Sequence, residues 1–229
     1  MFGSVKWIGE DTHTLTVAQQ FLSTELKSDK NAQGDENFED FNFTTKSCWT
    51  DLQLIVEEKT LWVPRSFLIV VSPVFRRMFE SDFKEKNTDV LPLPDKKYQD
   101  VLAFLQCTIA APLKYDIVLQ VLPLAHEYQV KHILIQCKDF LLRELGSIPT
   151  TYFKDSSNSR LAKNYTFKYC KICSMADKYG FTDLIESCVK ALSIVNYNYY
   201  KDFPGFYELS TEVQNKILHG RLKEAEKKV

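Results

Sequence analysis

Leu52, Leu54 and Val56 alternate with Gln53 and Ile55. A period of two marks a strand with one buried face. The polar run at 57–60 can turn the chain, and Leu61 and Val63 resume the pattern, so a β-hairpin is predicted. Pro64 has no amide hydrogen to pair and ends the second strand. Residues 67–71 are apolar without a clean period, which predicts a buried helix. Ser72-Pro73 then signals a new helix: serine can cap it, and proline is tolerated in its first turn. Val74, Phe75, Met78 and Phe79 form one apolar face behind that start. The polar loop at 81–88 carries a single aromatic, Phe83, and a short strand is predicted over 89–93.

From there the pattern is helical. Asp95 is placed to cap a helix in which Tyr98, Val101, Leu102 and Leu105 recur at i, i+3, i+4 and i+7. Pro112 breaks the chain. A helix over 117–128 contains Pro123 and is expected to kink there. Another runs over 131–145, with Gly146 as its C-terminal cap. The stretch 124–141 is echoed 51 positions later at 175–192: Ala125, Tyr128 and Cys137 recur as Ala176, Tyr179 and Cys188. Val130, Ile133, Leu134 and Leu141 correspond to Phe181, Leu184, Ile185 and Leu192, so both copies read as the same helical hairpin. One pair of copies is too few for a solenoid. The charged tail from Gly220 is expected to fray. At the other end, Val17, Ala18, Phe21, Leu22 and Leu26 suggest a short amphipathic helix. Residues 27–47 are polar and mildly acidic with scattered Phe38, Phe41 and Phe43. They read as a solvated linker or, alternatively, as a short peptide that docks on a partner. The fold class is therefore α+β. Its parts are an N-terminal segment (1–46), a mixed domain (47–146), a linker (147–160) and an all-α region (161–229).

Composition narrows the chemistry. The 229 residues suit one large domain or two small ones, and 45% are hydrophobic, enough to bury a core. A formal net charge of −1 argues against a general nucleic-acid or membrane-surface binder. Seven glycines argue against a glycine-rich phosphate loop. No apolar run is long enough for a membrane span, and the first residues lack a signal-peptide layout. An intracellular protein is expected, in the cytoplasm or also in the nucleus. Its six cysteines then read as thiols, and the sequons at Asn42 and Asn164 as inconsequential. Cys170-x-x-Cys173 has metal-like spacing, but the nearest further candidate is Cys188, and cysteines at i and i+3 simply share a helix face. His126 and His132 lack a third ligand and are expected to face solvent. No nucleophile elbow or carboxylate pair stands out, so neither catalysis nor a metal or other cofactor is expected.

Several segments, in order, resemble the BTB/POZ domain family: TDLQLIV at 50–56, SPVFRRMFES at 72–81, FKEKNTDVLPLPD at 83–95, YQDVLAFL at 98–105 and LAHEYQV at 124–130. The chain departs from the family pattern at Pro64-Arg65, where a histidine is common, and at Cys107-Thr108-Ile109, where a glycine turn is common. The resemblance implies a small sheet flanked by helical hairpins, a homodimer and a role in protein interaction. The helices after 160 resemble, loosely, the three-box or BACK-type helices that follow such domains.

Many members of the family bridge a substrate to the third cullin of ubiquitin ligases. The resemblance assigns that contact to Phe83 and Glu85, with Tyr128 lining the same groove. An exposed aromatic can anchor in a partner pocket, and an adjacent carboxylate orients it. The alternatives are that Phe83 covers the domain's own core and that Tyr128 is a core ring. Asp51 and Arg65 match a charged pocket that recruits corepressors in transcriptional members, or else form a structural ion pair. The resemblance thus implies an adaptor of a cullin-three ligase with an unidentified protein substrate. The alternatives are a scaffold or corepressor-recruiting module and the channel-tetramerisation branch.

Overall fold

The computed structural model describes residues 42–81, 88–109, 111–148, 159–201 and 203–226. The expected helix at 14–26 and the loop residues Phe83 and Glu85 lie outside them. By packing, the chain divides into two compact units, one ending at Cys137 and the other beginning at Lys138.

In the first unit, β1 (Leu52–Val56) and β2 (Lys59–Val63) form the predicted hairpin, with Leu54 opposite Leu61. β3 (Val90–Pro92) lies parallel to β1 on its other edge, giving the order β2-β1-β3. Leu52, Leu54 and Val56 are buried together with Leu61, Val63 and Leu91. The hairpin turn consists of Glu57 and Glu58, with φ of 48° and 63°. Two consecutive positive φ values give the twist that a two-residue hairpin needs, a conformation usually supplied by Asn-Gly. Phe43, which the sequence places in the polar linker stretch, is instead buried, and its carbonyl accepts from the Trp62 amide at 2.7 Å.

α1 (Arg65–Val71) and α2 (Pro73–Glu80) follow, joined at Ser72. α3 (Tyr98–Ile109) starts three residues after Asp95, so that residue is not its cap. The Tyr98 amide donates to the Glu57 carboxylate at 2.9 Å, so the cap comes from the hairpin turn. α4 (Tyr115–Glu127) contains Pro123, and α5 (Lys131–Gly146) follows. Gly146 is the last residue of α5 rather than a cap beyond it, and its φ is not positive.

The second unit takes in the end of α5, then α6 (Ser159–Tyr179), α7 (Thr182–Ile194), a 3-10 turn (Tyr197–Tyr199), α8 (Pro204–Tyr207) and α9 (Thr211–Glu226). The expected frayed tail is helical through Glu226. Val213 and Ile217 bury one side of α9. A Cβ on Gly220 would overlap Ser193 Oγ, so glycine lets α9 approach α7 closely. Arg221 donates to the Val195 carbonyl.

The internal echo is a repeat of backbone geometry. The Val130 amide bonds the Ala125 carbonyl at 2.8 Å, and the Phe181 amide bonds the Ala176 carbonyl at the same distance. Each corner is turned by one left-handed residue, Gln129 (φ 54°) or Gly180 (φ 72°). Cys137 and Cys188 are both fully buried about two helical turns further on.

Candidate partner-binding surface

Ser72 organises the first unit. Its hydroxyl accepts from the Phe75 amide at 3.1 Å, capping α2 as the sequence predicts. It also donates to the Tyr128 carbonyl at 2.6 Å, which the sequence does not reveal because 56 residues separate the two. That bond fixes α2 to the corner between α4 and α5. Phe75 stacks on Phe79 (6.0 Å between centroids) and on Tyr128 (4.4 Å), and Tyr128 also meets Phe104 at 6.0 Å. Tyr128 is 5% exposed, and burial, with Glu127 beside it, raises its phenol well above the usual range. The structure places Tyr128 in the aromatic core, not along an open groove, because its ring is sandwiched between those of two other helices.

Asp51 and Arg65 are adjacent, but their interaction runs through the backbone. The Asp51 carboxylate accepts from the Arg65 amide at 2.6 Å. It therefore caps α1, whose preceding Pro64 makes no side-chain cap, and sits at the helix end that favours negative charge. The Arg65 guanidinium donates to the Thr88 carbonyl at 2.5 Å and to Asp89 at 3.3 Å, and lies 5.0 Å over the Phe79 ring. Asp89 is also tied to the sheet, its carbonyl accepting from Gln53 at 2.8 Å. The far end of α2 is closed by the Ser81 amide on the Arg77 carbonyl. Ser81 and Thr88, the described residues on either side of 82–87, are thus held by Arg77 and by Arg65.

His126 is exposed, as expected, but His132 is not. It is 1% exposed, and neither ring nitrogen has a hydrogen-bond partner. His132 occupies the first turn of α5, where the helical pattern alone does not say which side meets the core. Desolvation lowers its pKa to about 4, and the nearby Thr108 carbonyl opposes that shift. Five of the six cysteines are buried thiols, and Cys48 is exposed. Burial pushes Cys107 up to about 11, and Cys137 and Cys170 up to about 12, so they stay protonated and weakly nucleophilic at neutral pH. Cys170 and Cys173 share the buried face of α6, and Cys188 on α7 is raised further by its hydrogen bond with Cys173. Among the described residues no group of three or more His, Cys, Asp or Glu side chains is arranged to hold a metal ion.

Residues 41–145 match the model of the BTB/POZ domain family. The chain is 28% identical over 127 residues to BTB/POZ domain-containing protein At4g08455 of Arabidopsis thaliana, covering 51% of this chain and 52% of that protein. It is 28% identical over 115 residues to BTB and MATH domain-containing protein 38 of Caenorhabditis elegans, covering 49% and 30%. Against the human Kelch repeat and BTB domain-containing protein 3 it is 24% identical over 181 residues, covering 77% and 26%. The chain therefore spans about half or less of the length of these curated relatives. The solved BTB (Tramtrack and Bric a brac) domain of human gigaxonin aligns with a TM-score of 0.38 and 13% identity, covering 61% of this chain and 99% of that one. The capped helix, the three-stranded sheet and the helical corner all lie within the matched region, and residues 41–145 are a BTB/POZ domain, a protein-interaction module.

Proposed function

We propose that this chain is a non-catalytic substrate adaptor of a cullin-three RING ubiquitin ligase, acting as a homodimer. The observation that carries the reading is the Phe83-Lys84-Glu85 sequence directly after α2, inside the matched domain. Its flanks are held by the Ser81 amide on one side and by Arg65 on the other. The loop residues themselves lie outside the described structure, so their role rests on sequence and on these anchors. The domain core at 47–146 would supply the cullin contact, and the helices at 161–229 would extend it in three-box or BACK-like fashion. The 181-residue similarity to a Kelch repeat and BTB protein supports a shared C-terminal part, since a match of that length must take in residues beyond 145. The substrate is a protein whose identity is open, and the setting is cytoplasmic or nuclear.

The alternative, a scaffold or corepressor-recruiting module, would use Asp51 and Arg65. Both side chains are already engaged within the domain, which favours the cullin reading. The test is a titration of purified protein against the N-terminal domain of the third cullin. A folded variant carrying Phe83→Ala and Glu85→Lys is run beside wild type. Binding by wild type that the variant loses is the expected result. No binding by folded wild type would overturn the reading and direct attention to Asp51 and Arg65.

A further inference from the structure

α6 has two faces of opposite character. One is buried and carries Ala162, Tyr169, Cys170, Ile172, Cys173 and Ala176. The other is basic. The helix contains five Lys or Arg residues and one acid, Asp177. Asp177 is committed to Ser210, the residue before α9, accepting from its amide at 2.6 Å and from its hydroxyl at 3.0 Å. Lys168 is neutralised by Glu144 at 2.6 Å. Arg160, Lys163, Lys171 and Lys178 are exposed, and no carboxylate among the described residues pairs with them. At 100° per residue, Arg160, Lys171 and Lys178 fall within about 20° of one line along the helix, over roughly 27 Å.

The centre of this line is aromatic. Phe167 is half-buried and stacks on Phe203 at 4.6 Å between centroids, with the Lys163 ammonium 5.7 Å from its ring centre. A Cβ on Gly205 would come within 2.5 Å of the Phe203 ring, so glycine there lets that ring fold back. Aromatic residues and arginine are over-represented where partners anchor, and the lysines add the positive field that selects an acidic partner.

We infer that this face of α6 binds an acidic polypeptide segment carrying one apolar side chain for the Phe167–Phe203 pair. The length of the line equals about eight residues of extended chain, a single short peptide. A nucleic acid is disfavoured because a long polyanion also meets the rest of a chain whose net charge is −1. A bilayer is disfavoured because the ring in the stripe is already stacked and offers little apolar area for insertion. The surface lies outside residues 41–145, and the peptide titration below contains no cullin, so the inference is tested separately from the cullin contact of the domain.

The test uses the full chain and a fluorescein-labelled peptide of about ten Glu and Asp residues with one central Leu. Binding is followed by anisotropy at low and high salt. The comparators are the Gln/Asn version of the peptide, an oligo-dT strand and phosphatidylserine vesicles. One variant reverses two charges of the stripe, Lys171→Glu with Lys178→Glu. A control reverses two exposed lysines elsewhere, Lys190→Glu with Lys223→Glu. The expected result is salt-sensitive binding of the acidic peptide that the stripe variant weakens about tenfold and the control less than about twofold. Equal losses in both variants would overturn the inference. So would tighter binding of the oligonucleotide or the vesicles, or no peptide binding up to about 1 mM.

Discussion

Ser72 is fully buried, and its hydroxyl both caps α2 and holds the Tyr128 carbonyl. Removing it loses a cap and strands two buried backbone groups. Ser72→Ala is therefore expected to destabilise the domain by about 2 kcal/mol, read as a lower urea midpoint at unchanged slope. An unchanged midpoint would mean the two bonds contribute nothing net. His132 makes the opposite kind of contribution. Its folded-state pKa, about 4, lies below the ordinary 6.5, so between those values the unfolded chain binds more protons. Stability should be fully present above about pH 6.5 and fall as pH drops toward 4, by up to about 3 kcal/mol. Because both ring nitrogens are buried without partners, His132→Leu should flatten this acid limb without weakening the protein at neutral pH. An acid limb that survives the substitution would place the titration elsewhere.

At the level of elements, the hairpin turn is the conspicuous departure from local preference. Glu57 and Glu58 both adopt left-handed backbone that a side chain disfavours. Glu57 offsets its strain by capping α3 at Tyr98, whereas no such bond is made by Glu58. Glu58→Gly should therefore stabilise the domain by about 1 kcal/mol, and Glu57→Gly should gain less or lose stability. Thermal denaturation of the two variants side by side checks this, and equal gains would argue against the Glu57 cap. The repeated corner follows the same rule. Gly180 turns one copy, and Gln129 takes the same left-handed conformation in the other without glycine's freedom.

For the whole molecule, the family suggests a dimer, and the chain's solution mass is the direct measure. Sedimentation equilibrium of the full chain is expected to return twice the chain mass. A single-chain mass would remove the dimer from the adaptor reading. A mass of four or five chains would favour the channel-tetramerisation branch. The net charge of −1 hides an uneven distribution, because α6 carries five Lys or Arg residues against one acid, Asp177. A whole-chain total therefore cannot exclude a local electrostatic surface, only a general one.

Periodicity and start signals made the hairpin, the Ser72-Pro73 helix and the repeated corner legible from the sequence, because each depends on residues within a few positions of one another. The resemblance to BTB/POZ domains was legible for the same reason, as a series of short segments in order. What the tertiary structure decided involves partners far apart in sequence. Ser72 reaches Tyr128, Glu57 caps α3 in place of Asp95, and Arg65 turns from Asp51's side chain to Thr88 and Asp89. Tyr128 lies at the corner after α4 and His132 in the first turn of α5, and packing against other elements determined that both are buried. α9 was hidden by its charged composition, since two buried residues, a glycine and one arginine bond suffice to dock it once α7 is in place. Local hydrogen bonding and hydrophobic period are properties of a short stretch of chain, whereas the choice of cap, core ring or anchor is made by whichever distant group packing brings within bonding distance.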